Sequence, residues 1–115
     1  MNKNDEGEAL ALEYFKENKY KILHKNFTSR LGEIDLIVQK KDVIVFVEVK
    51  SRSKKDYGYG REFVTNKKIW KICKTADFFR CKFPNENVYY RFDVVEVDLK
   101  LKKIEHFENA FEYCL

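Results

Sequence analysis

At 115 residues, 44% hydrophobic and 16% aromatic, the chain suffices for one domain over residues 1–115, and this apolar content excludes a disordered polymer. The net charge of +4 is unevenly spread: residues 1–50 carry nine basic and nine acidic side chains, residues 51–82 ten and three (+7), and residues 83–115 four and seven (−3). The middle block suits a polyanionic partner, with a solvated helix face as the plain alternative.

In chain order, Asn4 or Asp5 caps a first helix reaching residue 18, with Ala9, Leu10, Leu12, Tyr14 and Phe15 as its apolar stripe. Residues 20–27 alternate weakly and read as a strand. Residues 28–32 read as a turn in which Gly32 is free to take a positive φ. Residues 33–38 and 43–51 are two more strands, and the short polar link between them predicts a hairpin. Residues 53–61 read as a mobile loop. A second helix over 65–82 buries Ile69, Ile72, Cys73, Ala76 and Phe79, exposes Lys67, Lys71 and Lys74 on another face, and stops before Pro84. Strands over 88–99 and 101–107 complete the order αβββαββ. The expected fold class is α/β (α+β), a mixed sheet flanked by helices.

No run is long enough to span a membrane; the longest, residues 43–47, is five residues. The charged N-terminal residues have no apolar stretch behind them, so a cytoplasmic location without membrane contact is expected. Cys73, Cys81 and Cys114 form no CxxC spacing and lie apart in sequence from His24 and His106. They read as reduced packing residues, and any metal must be held by carboxylates.

The stretch VIVFVEVKSR, residues 43–52, carries the chemistry. Val43, Val45, Val47 and Val49 point to one face, and Ile44, Phe46, Glu48 and Lys50 to the other, so a strand apolar on both faces turns polar on one at its end. On the preceding strand, alternation sets Glu33, Asp35 and Ile37 on one face, with Ile34, Leu36 and Val38 on the other. The hairpin brings Asp35 alongside Glu48. Two neighbouring carboxylates repel unless a cation neutralises both. Mg²⁺ (or Mn²⁺) fits, held by Asp35, Glu48 and the Val49 carbonyl, with Lys50 placed to orient an attacking water or to stabilise phosphate charge. The plain alternative is an ion pair at a sheet end.

The segments GEIDLI (32–37) and VFVEVK (45–50), together with Gly7-Glu8, Asn26, Arg52, Gly58, Val64-Thr65 and Arg91-Phe92-Asp93, resemble the YraN-like family of endonucleases. That family is grouped with the PD-(D/E)xK, restriction-endonuclease-like superfamily and is similar to archaeal Holliday-junction resolvases. The resemblance implies a four-stranded central sheet with packed helices, catalytic Asp35, Glu48 and Lys50, and Glu8 as an outer metal ligand or water-holder. It also implies a metal-dependent endonuclease hydrolysing phosphodiester bonds of branched or junction DNA in repair or recombination. From the residues alone, Glu8 is an exposed helix acid, Glu33 a supporting group or a surface acid, and Asp93 an anchor for Arg91 or a neighbouring backbone.

Arg30, Arg52, Lys54, Lys55, Arg61, Lys67 and Lys71 are the candidate phosphate contacts, with Tyr57 stacking on a base or packing its own loop. No motif for sequence-specific readout is present. A homodimer fits a branched substrate, with Phe107, Phe111 and Tyr113 as contact candidates. A catalytically inactive nucleic-acid-binding module and a structural interaction protein are the rival functions.

Overall fold

The computed structural model describes residues 3–52 and 64–112. The elements are α1 (Lys3–Glu17), β1 (Lys21–Ser29), β2 (Gly32–Lys40), β3 (Val43–Arg52), α2 (Asn66–Lys82), β4 (Tyr89–Asp98) and β5 (Lys103–Phe107). The strands form one mixed five-stranded sheet in the order β1-β2-β3-β4-β5, antiparallel except for the parallel β3–β4 pair. The residue pattern, with its two C-terminal strands, anticipates this better than the four strands implied by resemblance.

Both faces of the sheet are covered. Phe27, Ile34, Ile37, Ile44, Phe46 and Phe92 pack with Ile72, Cys73, Ala76 and Phe79 of α2. Leu36, Val38, Val45, Val47, Val95 and Val97 pack with Ala11 and Phe15 of α1. β3 is therefore apolar on both sides, as a central parallel strand must be. Among the described residues, no helix is long and apolar enough to cross a membrane.

Several local expectations are corrected. α1 already includes Lys3, so Asn4 and Asp5 lie in its first turn rather than ahead of it. Ala9 is exposed, and the buried stripe of α1 is Gly7, Ala11 and Phe15, spaced four apart. The first turn is only Arg30-Leu31, because β1 runs to Ser29 and β2 starts at Gly32. Gly32 does not take a positive φ; a Cβ there would come within 3.2 Å of the Lys71 Cβ on α2. Its glycine serves close packing. Cys81 is exposed, unlike the buried Cys73. Phe111 is half-buried and stacks on Phe92 at 4.9 Å, a contact within its own chain. Residues 53–63, with Lys54, Lys55, Tyr57, Arg61 and the expected mobile loop, lie outside the described residues, as do Tyr113 and Cys114.

A buried polar network ties β4 and β5 to α1. Asp93 accepts from Arg91 Nε at 2.8 Å, Arg91 Nη2 at 2.9 Å and the Asn109 N–H at 2.9 Å. His106 Nε2 lies 2.6 Å from the same carboxylate, and His106 Nδ1 lies 2.8 Å from the Tyr14 hydroxyl. Burial alone would raise the Asp93 pKa, but the bonds from His106, Arg91 and Asn109 outweigh it and hold the carboxyl below the usual range. Asp93 is thus an anchor, satisfied within the fold.

Gly7 sets how closely α1 approaches β3, since any Cβ there would overlap the Ser51 side chain. Gly7→Val is expected to cost about 2 kcal/mol in urea unfolding through overpacking. Pairing Gly7→Ala with Ser51→Gly should recover most of the loss seen in Gly7→Ala alone. Strict additivity of those two changes would contradict the packing role.

Candidate active site

The site forms where β2 parts from β3. Their ladder ends at Leu36↔Val47, although β2 continues to pair with β1 as far as Gly32, and β3 with β4 as far as Arg52. Continued in the same register, Asp35 stands opposite Glu48. The Asp35 side chain turns into the opening, where its Oδ2 accepts the Val49 N–H at 2.7 Å. A carboxylate thereby satisfies a strand donor that the neighbouring backbone has stopped serving.

Simple alternation fails at this point. Ile34 packs with Ile37 on the α2 face, while Leu36 and Val38 pack on the α1 face. The paired rows pass from Lys25↔Leu36 to Phe27↔Ile34 without an Asn26–Asp35 rung, and Asn26 has φ 51°. Left-handed backbone at Asn26 resets the phase of the pleat. Asp35 sits at that break and not on a regular face with Ile37.

Glu8, Glu33, Asp35, Glu48, Val49, Lys50, Ser51 and Lys68 line one pocket of about 360 Å³. The structure therefore brings together Asp35, Glu48, Lys50, Val49 and Glu8. Asp35 is 8% and Glu48 6% exposed, so both carboxylates are largely withdrawn from water. Burial first, and Asp35 second, push the Glu48 carboxyl up to about 7, against the opposing pull of Lys68 and, more weakly, Lys50. Glu8 reaches the pocket from α1. Its pKa is raised by burial and by Asp35, and a hydrogen bond with the Asn26 side chain opposes that rise.

Sequence reasoning passed over two residues. Lys68 Nζ lies 3.2 Å from Glu48 Oε1. Its position was readable, because Lys68, Ile72, Thr75 and Phe79 follow one helical stripe and the latter three are buried. The other is Asn26, through its bond with Glu8; it stands among the residues of the resemblance without a role, and its tolerance of positive φ is the signal in the residue itself.

The expected phosphate contacts divide. Lys67 and Lys71 line a cleft of about 390 Å³ with Gly32, Glu33, Thr65, Lys68 and Ile72, which adjoins the acidic pocket through Glu33 and Lys68. Arg52, half-buried at the end of β3, pairs with the buried Glu96 of β4. Arg30 is exposed at the β1–β2 turn and lines neither cavity. Lys74 lies over the Trp70 ring and 3.9 Å from Asp77, away from the track.

Among the described residues, no three His, Cys, Asp or Glu side chains converge to enclose an ion. The donors that do meet are two carboxylates and a strand end. Val49 turns its N–H toward β2, and a strand residue's C=O points the same way as its N–H, so that carbonyl also opens on the gap. Such an all-oxygen, two-carboxylate set fits Mg²⁺ or Mn²⁺, which keep several waters.

Comparison with known proteins places this chain. The uncharacterised protein family UPF0102 matches residues 7–97. The chain belongs to this family. A UPF0102 protein of Acetivibrio thermocellus is 47% identical over 113 residues, covering 91% of this chain and 87% of its own. Those of Persephonella marina and Clostridioides difficile are 42% and 46% identical, covering 96% and 95% of this chain and 93% and 96% of theirs. The UPF0102 match takes in Glu8, Asn26, Asp35, Glu48, Lys50 and Lys68, and it ends within β4.

The Glu48 shift has a consequence for the UPF0102 fold itself. Folded Glu48 binds its proton more tightly than the unfolded chain does, so the folded state holds more protons between pH 4.5 and about 7. Its contribution is complete below 4.5 and is lost as pH rises through about 7. In EDTA, urea unfolding should therefore show this term falling by on the order of 3 kcal/mol across that window. Glu48→Gln is expected to flatten the decline, and an unchanged slope in that variant would contradict the assignment.

Proposed function

We propose that this UPF0102 protein is a Mg²⁺- or Mn²⁺-dependent endonuclease of the restriction-endonuclease-like, PD-(D/E)xK type, hydrolysing phosphodiester bonds in DNA. One observation carries the reading: two buried carboxylates, Asp35 and Glu48, meet at a parted pair of strands beside Lys50. The restriction-endonuclease-like placement rests on the resemblance of the GEIDLI and VFVEVK segments, and the mixed sheet with a helix on each face is compatible with it.

Asp35, Glu48 and the Val49 carbonyl would hold the ion, and Glu8 would orient its outer waters. A bound divalent ion lowers the pKa of a coordinated water and polarises the phosphate. Lys50 follows Glu48 on the same face of β3 and lines the same pocket. Its ammonium orients the attacking water or takes up charge developing on the phosphate. The adjoining cleft supplies Lys67 and Lys71 as backbone contacts, which bind without reading sequence. That pattern suits selection by DNA shape, as at a branch or junction, in repair or recombination.

A silent nucleic-acid-binding module of the same fold is the second reading. The ion pair between Lys68 and Glu48 favours it, because the protein itself already neutralises one carboxylate.

Cleavage of branched, flapped and single-stranded DNA separates the two readings. The enzyme reading expects metal-dependent cutting that falls at least about 100-fold in Glu48→Ala. Salt-sensitive binding with equal background cleavage in both proteins would leave only the silent module.

A further inference from the structure

We infer that Lys68 is an exchange residue: its ammonium holds Glu48 while the site lacks a divalent cation, and transfers to a DNA phosphate when the cation takes the carboxylate. The inference rests on the nuclease reading and adds a residue and a coupling that the Asp35, Glu48 and Lys50 set does not contain.

Three observations carry it. The first is competition for one carboxylate. Lys68 Nζ lies 3.2 Å from Glu48 Oε1, in the pocket where Asp35 and Glu48 meet. A divalent cation taking that carboxylate would stand within a few ångströms of the ammonium. Repulsion between the two cations then drives out the mobile one.

The second is freedom of movement. Lys68 is anchored at its backbone, where its N–H donates to Thr65 Oγ1, the cap of α2, at 3.2 Å. Its side chain is 46% exposed, while its partner Glu48 is 6% exposed. The carboxylate is fixed, and the four-carbon stem of the lysine lets the ammonium swing.

The third is destination. Lys68 lines the acidic pocket and the adjoining lysine cleft alike. Leaving Glu48, its ammonium joins Lys67 and Lys71, where a phosphodiester backbone would lie. Cation and DNA therefore bind cooperatively, each releasing Lys68 toward the other's benefit.

The test uses the full chain at pH 8, Mn²⁺ titration by calorimetry, and duplex DNA binding in EDTA or in Ca²⁺. Variants are Lys68→Gln, Lys68→Arg and, as a charge control on the same turn, Lys67→Gln. Lys68→Gln should bind Mn²⁺ roughly three- to fivefold tighter, having lost the competing ion pair, whereas Lys68→Arg and Lys67→Gln should stay within about twofold of wild type. In EDTA the wild type and Lys68→Gln should share one salt slope. In Ca²⁺ the wild-type slope should exceed that of Lys68→Gln by about 0.9, the signature of one added phosphate contact.

Unchanged or weaker Mn²⁺ binding by Lys68→Gln, or equal tightening by Lys67→Gln, overturns the exchange while the nuclease reading survives. Equal salt slopes in Ca²⁺ overturn it too. A wild-type protein that binds Mn²⁺ not at all defeats both.

Discussion

The carboxylate of Asp35 accepts the backbone N–H of Val49 at the place where β2 stops pairing with β3. A parted pair of strands leaves donors and acceptors without partners, and such groups are costly away from water. Here a side chain fills the gap that the backbone leaves, so the sheet can open without an orphaned donor. The opening turns a continuous apolar strand into the wall of a polar pocket. The same bond also fixes Asp35 beside Glu48, which makes the pocket acidic. Fold and chemistry meet in this one contact.

The two helices frame the opening from opposite faces. α1 comes close to β3 because Gly7 has no side chain to hold it off Ser51, and that approach delivers Glu8. α2 begins at the capped Thr65, and its first turn delivers Lys68. Gly32 lets the edge of β2 lie against Lys71 and Thr75, which brings the lysine cleft alongside the acids. On the α1 side of β4, where Asp93 pairs with Val47, that carboxylate gathers Arg91, His106 and Asn109 into a satisfied network that binds the C-terminal strands to α1. The molecule thus keeps one acid cluster quenched by protein partners and another short of positive charge. The second is where the proposed ion would bind.

Much of this was legible in residue order. Alternation in VIVFVEVKSR and its spacing from Asp35 foretold the meeting of Asp35 with Glu48, since hairpin pairing is local. Helical periodicity in 65–82 foretold the buried face of α2, and applied one turn earlier it would have pointed Lys68 at the sheet. What stayed hidden depends on distant neighbours or on backbone irregularity. A two-residue period cannot register the reset at Asn26, so alternation sets Ile34 on the wrong face. Gly32 reads as a source of backbone freedom, whereas a helix some forty positions later requires its small size. Arg52 looked free for phosphate because its partner, Glu96, arrives only through the parallel pairing of β3 with β4. Small residues hid the true stripe of α1, as Gly7 and Ala11 add little hydrophobic signal.

If the opening beside Val49 is an ion site, cation uptake must displace the proton that Glu48 holds up to about pH 7. Mn²⁺ calorimetry at pH 6 in two buffers of different ionisation enthalpy counts that proton directly. The account expects one cation per chain, with close to one proton released, and loss of both in Asp35→Asn. Uptake without proton release, or uptake undiminished in Asp35→Asn, would contradict it.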